Sequence, residues 1–231
     1  MEIVRSKEGL LQSLEKLKKF QSKVAFVPTM GNLHNGHLKL METSKRLAEH
    51  TVCSIFVNKK QFGENEDFAS YPRTEEADIE KLKSMGASLL YLPRNESDIF
   101  GGSFNLKLDI PHLTNCLCGL TRPNFFSGVL AVVLKLFLQV KPDFAVFGKK
   151  DYQQFLVVSA LAEALDIGTQ VIGIETIREE NGLAMSSRNN YFTAEDRAHA
   201  GFIYQELLQF KARFLTLSIE ENLNITKESL L

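Results

Sequence analysis

The chain has 231 residues, 44% of them hydrophobic, and its 27 Lys and Arg nearly balance 28 Asp and Glu, for a formal net charge of −1 at pH 7. That length can bury a sizeable core as one large domain with a small appendage, and without a basic tail the charge gives no general attraction to nucleic acid or to an anionic membrane. Cys53, Cys116 and Cys118 are an odd number in a mid-sized chain, and Cys116-Leu117-Cys118 lacks the second ligand pair of a zinc site, so a reducing, cytoplasmic setting and small-molecule partners are expected.

In chain order, the first predicted element is a helix over 6–20, with Ser6 as N-cap and Leu10, Leu14 and Leu17 on one face. Its mix of Lys, Glu and Leu is unlike an apolar signal core, and the face carrying Lys16, Lys18 and Lys19 reads as solvated surface. The apolar run Val24–Val27 predicts the first strand, and the polar segment Pro28–His37 leads into a helix over 37–50. Thr51–Val57 predicts the second strand, running into Asn58-Lys59-Lys60-Gln61-Phe62; a helix over 74–85 and a strand over 88–92 follow. The alternation of Phe104, Leu106, Leu108 and Ile110 reads as a half-buried edge strand. Gly128–Val140 is the most apolar stretch, but it is short and carries Lys135, which predicts a core helix over 127–140 instead of a membrane span. A strand at Phe144–Phe147, a helix at Asp151–Leu165 and a strand at Gln170–Ile174 complete the alternation, leaving a turn at Asn181-Gly182, the segment Met185–Asn189, a helix from about Thr193 and a polar tail.

Short continuous apolar runs alternating with helices predict an α/β fold, a doubly wound, Rossmann-like parallel sheet with a reduced C-terminal appendage. A catalytic nucleotide-binding domain is expected over 1–176, and a phosphate loop with a reduced C-terminal region over 177–231. In such a sheet ligands bind beyond the carboxyl ends of the strands, and the polar residues collect there. His34-Asn35-Gly36-His37 follows the first strand, Asn58 to Phe62 the second, Gly148-Lys149-Lys150-Asp151 with Gln154 the strand at Phe144, and Met185-Ser186-Ser187-Arg188 the last. Two histidines three apart at a helix start, beside backbone N–H groups and a glycine that admits close approach, suit an anionic phosphate ligand. Packed surface histidines or a metal-ligand pair are the alternatives. The two hydroxyls and guanidinium of Ser186, Ser187 and Arg188 form a second candidate anion cradle, against the plain reading of a helix-entry loop. Lys150 offers a point charge for phosphates, and Gln61 and Gln154 offer donors and acceptors for a substrate with hydroxyls and a carboxylate.

Together, PTMGNLHNGH, SIFVN with QF three residues on, YPRT at Tyr71–Thr74, FGKKDYQQ and GLAMSSRN, in unbroken order from about Val24 to Arg197, resemble the pantothenate synthetase family, the pantoate:beta-alanine ligases within the HxGH nucleotidyl transferases. The resemblance implies ATP-dependent joining of pantoate to beta-alanine through a pantoyl adenylate, with release of pyrophosphate and AMP. It implies ATP binding by Met30, Gly31, Asn32, Leu33, His34, Asn35, Gly36 and His37, by Gly148, Lys149, Lys150 and Asp151, and by Ile177, Met185, Ser186, Ser187 and Arg188. His37, His34 and Lys150 are then the catalytic set, with His37 the proton donor, and Gln61, Gln154 and Asn58 the substrate-binding set. Magnesium is implied by the use of ATP, with Asp78 a candidate contact and its ligand set open; a homodimer is the implied assembly.

The sequence departs from the family pattern in four places. Lys59 stands where a proline usually follows the asparagine, Phe125 and Ser127 replace a His and an Arg or Ala in the loop after Arg122-Pro123, and Lys149 replaces a Glu. The chain also ends at Leu231, short of the family's closing C-terminal domain, which suggests a reduced member or a truncated piece. The rival readings are another HxGH nucleotidyl transferase, which would have no need for the Gln61 and Gln154 pair, and a catalytically weak nucleotide-binding homologue.

Overall fold

The computed structural model describes residues 1–102 and 107–230. Six strands, β1 Glu2–Val4, β2 Val24–Thr29, β3 His50–Ile55, β4 Leu89–Tyr91, β5 Phe144–Gly148 and β6 Gln170–Ile174, form one sheet in the order β1-β4-β3-β2-β5-β6. Every pairing is parallel. Between the strands lie α1 Lys7–Leu17, α2 Asn35–Leu47, α3 Glu75–Ser84, α4 Glu96–Phe100, α5 Pro111–Thr114, α6 Cys118–Thr121, α7 Phe125–Val140 and α8 Tyr152–Ala164. The doubly wound parallel α/β architecture expected from the sequence is the one observed.

Period-two alternation explains why the strands read as unbroken apolar runs. Phe26, Val52, Leu89 and Ala145 join one core with residues of α1, α7 and α8. Their neighbours Val27, Cys53, Leu90 and Val146 join a second core, on the other face, with Leu40 and Met41 of α2 and Leu82 of α3. A polar strand position between two covered faces is costly without a partner, and β3 carries two such hydroxyls, on Thr51 and Ser54, unpartnered among the described residues.

The strand order places a topological switch beside β2. The chain leaves β2 for β3 on one side, whereas β5 pairs on the other, with Ala25 opposite Phe144 and Phe26 opposite Ala145. The crevice beyond the carboxyl ends of β2 and β5 is where such sheets take ligands.

Several details differ from the sequence reading. β1 has no counterpart there, because three residues at a sheet edge carry no period. The strand expected at 104–110 falls partly on 103–106, which lie outside the described residues; 107–110 have no regular structure. Lys18 is not simply solvated: its Nζ donates to the Val140 carbonyl at 3.0 Å and to that of Lys141, closing the C-terminus of α7.

The chain divides into two compact units, Met1–Glu175 and Thr176–Leu231. The second carries an Arg178–Ala184 bridge and three helices in place of the one expected: α9 Ala194–Ala200, α10 Phe202–Arg213 and α11 Ile219–Leu230. α10 and α11 meet through polar groups. Arg213 donates to Glu206 at 2.5 Å, Asn222 at 2.9 Å and Thr226 at 2.9 Å, and Ser229 donates to Glu206 at 2.9 Å. Among the described residues no helix is long and apolar enough to cross a membrane.

One close approach ties α7 to the sheet edge. A Cβ on Gly128 would lie 2.1 Å from the Lys60 carbonyl oxygen and 2.8 Å from the Gln61 nitrogen. Gly128→Ala is therefore expected to force the 59–61 turn away from α7 and destabilise the protein by about 1–3 kcal/mol. Urea denaturation checks this, and an unchanged midpoint would contradict the described fit.

Candidate active site

After β2 the chain turns through two successive left-handed residues, Gly31 at φ 84° and Asn32 at φ 49°. The Thr29 hydroxyl starts the turn, donating to the Ser54 carbonyl at 2.9 Å and accepting from the Gly31 N–H at 3.2 Å. A side chain at Gly31 would be strained twice, by its φ and by contacts at 3.0 Å to Ile55 and 3.2 Å to Asp78. From α3, Asp78 accepts the Asn32 and Leu33 N–H groups, both at 2.8 Å, and Lys81 donates to the Leu33 carbonyl at 2.6 Å.

The turn delivers His34 as the N-cap of α2. Its Nδ1 accepts from the Gly36 N–H at 3.1 Å, while the His34 N–H donates to His37 Nδ1 at 3.3 Å, a reciprocal capping box built from two imidazoles. A ring nitrogen that accepts cannot carry the proton, so the neutral tautomer of each ring has its N–H at Nε2. The rings lie 4.1 Å apart, tilted by 44°. The helix start is less open to an anion than the sequence suggested, since the Gly36 N–H serves His34 Nδ1 and the His37 N–H the His34 carbonyl.

Burial, and then the positive charges of His34, Lys150 and Lys81, push the His37 pKa down to about 3. In the free protein His37 is thus a neutral imidazole offering an Nε2–H. Bound phosphate would oppose the last three of these causes.

Across the crevice mouth, Asn58 is 1% exposed. Its amide donates to Gln61 Oε1 at 3.1 Å and to the Gly128 carbonyl at 3.0 Å, and Gln61 Nε2 reaches Met30 Sδ at 3.0 Å. Asn58 thereby orients Gln61. Its Oδ1 also accepts from the Lys60 N–H at 3.3 Å, a local turn that orders the segment where Lys59 stands in place of proline.

From the end of β5, a 3₁₀ turn at Lys149–Asp151 leads into α8. Lys149 pairs with the exposed Glu175 at 2.6 Å, while Lys150 lies 3.4 Å from Asp151 and adds to the field at His37. Among the described residues the Gln154 side-chain amide has no hydrogen-bond partner, whereas neighbouring Gln153 is fully engaged with the 113–118 loop, donating to the Leu113 and Cys116 carbonyls at 2.7 and 2.8 Å and accepting from the Cys118 N–H at 3.1 Å. In the divergent loop, Phe125 packs under the Arg122 guanidinium at 3.7 Å, and Arg122 grips Glu66 at 2.7 and 2.5 Å.

The first unit thus gathers Met30–His37, Asn58, Gln61 and Gly148–Gln154 at one edge of its sheet. The remaining candidates belong to the second unit. There the Met185 N–H donates to the Ile177 carbonyl at 2.9 Å, and Ser186 caps a 3₁₀ turn at Ser187–Tyr191 by accepting from the Arg188 N–H at 3.2 Å. Asn189 and Arg197 both hold Glu179, the former at 2.8 Å and the latter at 2.7 and 2.8 Å. The sequence reading missed the clamping roles of Lys81, Gln153 and Arg122, which join segments far apart in the chain.

The sequence profile of the pantoate-beta-alanine ligase family matches residues 2–230. The chain is 46% identical over 211 residues to the pantothenate synthetase of Methylococcus capsulatus, covering 90% of this chain and 73% of that protein. The crystal structure of pantothenate synthetase from Thermus thermophilus superposes with a TM-score of 0.92 at 40% identity, over 100% of this chain and 82% of that one. Pantoate-beta-alanine ligase from Francisella tularensis, complexed with beta-gamma ATP and beta-alanine, superposes with a TM-score of 0.88 at 36% identity, over 99% of this chain and 85% of that one.

The depressed His37 pKa has a measurable consequence. Below the ordinary value of 6.5 the unfolded chain takes up a proton that the folded chain refuses until about pH 3, so the folded state loses stability as pH falls through that window. In urea titrations from pH 7 to 4, His37→Gln is expected to lose less stability than the parent. Parallel curves would show that His37 protonates freely in the fold.

Proposed function

The chain belongs to the pantoate-beta-alanine ligase family, and from that premise we propose how its residues carry the ATP-dependent condensation of pantoate with beta-alanine to pantothenate. The pantoate carboxylate attacks the α-phosphorus of ATP, the bond to the bridging oxygen breaks, and pyrophosphate leaves. The amine of beta-alanine then attacks the acyl carbon of the pantoyl adenylate, loses a proton, and expels AMP. Both steps depend on alignment and on stabilising phosphate charge, with no protein nucleophile.

The observation that supports this reading best is the pair of imidazoles held at the switch point by their own capping box, with Lys150 close enough to act on His37. Their Nε2–H groups would donate to phosphate oxygens as charge develops, and Lys150 would supply a point charge to the leaving pyrophosphate. Gln61 and Gln154 would hold the pantoate hydroxyls and carboxylate, with Gln61 close to the incoming amine; Asn58 keeps Gln61 in place. Met30–His37 and Gly148–Asp151 form the proposed ATP-binding set of the first unit.

Magnesium, implied by the use of ATP, would be carried chiefly by the phosphates and water, since it is seldom held by an all-protein cage. Among the described residues no three His, Cys, Asp or Glu side chains gather as ligands, and the carboxylate of Asp78 is committed to the backbone. A homodimer in the cytoplasm completes the proposal, supported by family membership and by the free thiols of Cys53, Cys116 and Cys118.

A pyrophosphate-release assay with ATP and a panel of carboxylates tests the assignment. Release with pantoate alone is expected, falling about 10²-fold in His37→Ala, whereas Gln154→Ala should chiefly raise the KM for pantoate. Release with a different carboxylate, or near-normal turnover by His37→Ala, would overturn the reading. Loss of ATP affinity instead of pantoate affinity in Gln154→Ala would exchange the two pockets.

A further inference from the structure

The least accessible charge beside the nucleotide loop is the carboxylate of Asp78, 0% exposed in the first turn of α3. Its Oδ1 accepts from the Leu33 N–H at 2.8 Å, and its Oδ2 accepts from the Asn32 N–H at 2.8 Å and the Thr74 hydroxyl at 3.1 Å. One turn further along α3, Lys81 donates to the Leu33 carbonyl. The helix thus grips both faces of a single peptide segment. The N-terminal position on α3 favours the negative charge, and each charge-assisted bond from a backbone N–H is stronger than a neutral one.

The gripped segment sets everything after it. Asn32 is held at φ 49°, a left-handed conformation that asparagine adopts more readily than most residues with a side chain, and His34, two residues on, is the cap of α2. Were Asp78 to turn toward a cation, the N–H groups of Asn32 and Leu33, residues 9% and 2% exposed, would lose their acceptor in a buried place. A magnesium ion also demands several oxygens in near-octahedral array, and among the described residues no three His, Cys, Asp or Glu side chains gather to hold one.

We infer that Asp78 is the positioning residue of the nucleotide site, clamping the Gly31–Leu33 turn and thereby aiming His34 and His37, and that it acts through the backbone without binding a metal. The inference rests on the nucleotide reading of that loop, but the clamp itself can be measured without a nucleotide.

The test compares the full chain with Asp78→Asn, which keeps size but turns one acceptor into a donor facing a donor. In the ligand-free proteins, amide hydrogen exchange at Asn32 and Leu33 is expected to accelerate roughly 10-fold or more in the variant, the loss of a hydrogen bond to a charged group. Affinity for ATP in EDTA, with no divalent cation present, should weaken by a similar factor. Unchanged exchange with unchanged affinity in EDTA, and a defect only when magnesium is added, would overturn the clamp in favour of a metal ligand. Should Asp78→Asn fail to fold, Thr74→Val removes only the hydroxyl bond to Oδ2. A smaller acceleration at the same two amides then supports the clamp, and none refutes it. If the parent protein binds no ATP, the nucleotide reading fails, while the exchange data still decide whether Asp78 holds the turn.

Discussion

A parallel strand in the middle of a doubly wound sheet has little room for a polar side chain, and β2 has its first four residues all apolar and buried. It is hydrogen-bonded to β3 on one edge and β5 on the other, and Val24, Ala25, Phe26 and Val27 are all 0% exposed. Chemistry-bearing residues can appear only where the strand stops, and the strand stops at the switch point. The Thr29 hydroxyl, the left-handed pair Gly31 and Asn32, and the histidine cap of α2 follow one another directly in the chain. The rigidity of the site is borrowed from a strand that cannot move without exposing core on two faces.

Around that strand the supporting contacts come from distant parts of the chain. Gly128 of α7 lets the 59–61 turn lie against its backbone, and Asn58 bridges the Gly128 carbonyl and Gln61. Gln153 holds the loop from Leu113 to Cys118, and Arg122 joins Glu66 across the edge that carries Gln61. The second unit is held differently: the interface of α10 and α11 is a polar cluster centred on Arg213, whose hydrogen bond is the main reason the Glu206 carboxylate titrates below its ordinary range.

What could be read in advance follows from these ranges of interaction. β2 to β5 were legible because burial on two faces leaves a largely apolar run, β6 from its apolar residues although it is half-buried at the sheet edge, and α7 because it is apolar nearly all round. β1 was not, being three residues whose partner, β4, lies more than eighty residues away in the chain. The histidine pair was legible as a motif, but the use of both Nδ1 atoms as backbone acceptors depends on ring orientation. Asp78 entered the sequence reading as a candidate magnesium contact, through the use of ATP that the family resemblance implies. Its commitment to Asn32 and Leu33, 46 and 45 residues distant, is a fact of tertiary structure. Likewise the tail that reads as polar contains helices whose buried residues, Glu206, Asn222 and Thr226, are themselves polar.

A ring that caps a helix through Nδ1 while its Nε2–H faces a ligand joins two equilibria that are usually separate. A phosphate drawing on Nε2–H polarises the imidazole and makes Nδ1 a better acceptor, so occupancy of the proposed site tightens the first turn of α2. By linkage the reverse holds, and whatever frays that turn weakens the ligand's hold by the same free energy. In the proposed site His34 would in this sense be a transducer: the end of α2 would report on the nucleotide, and the nucleotide would be bound in part by the ordering of a helix.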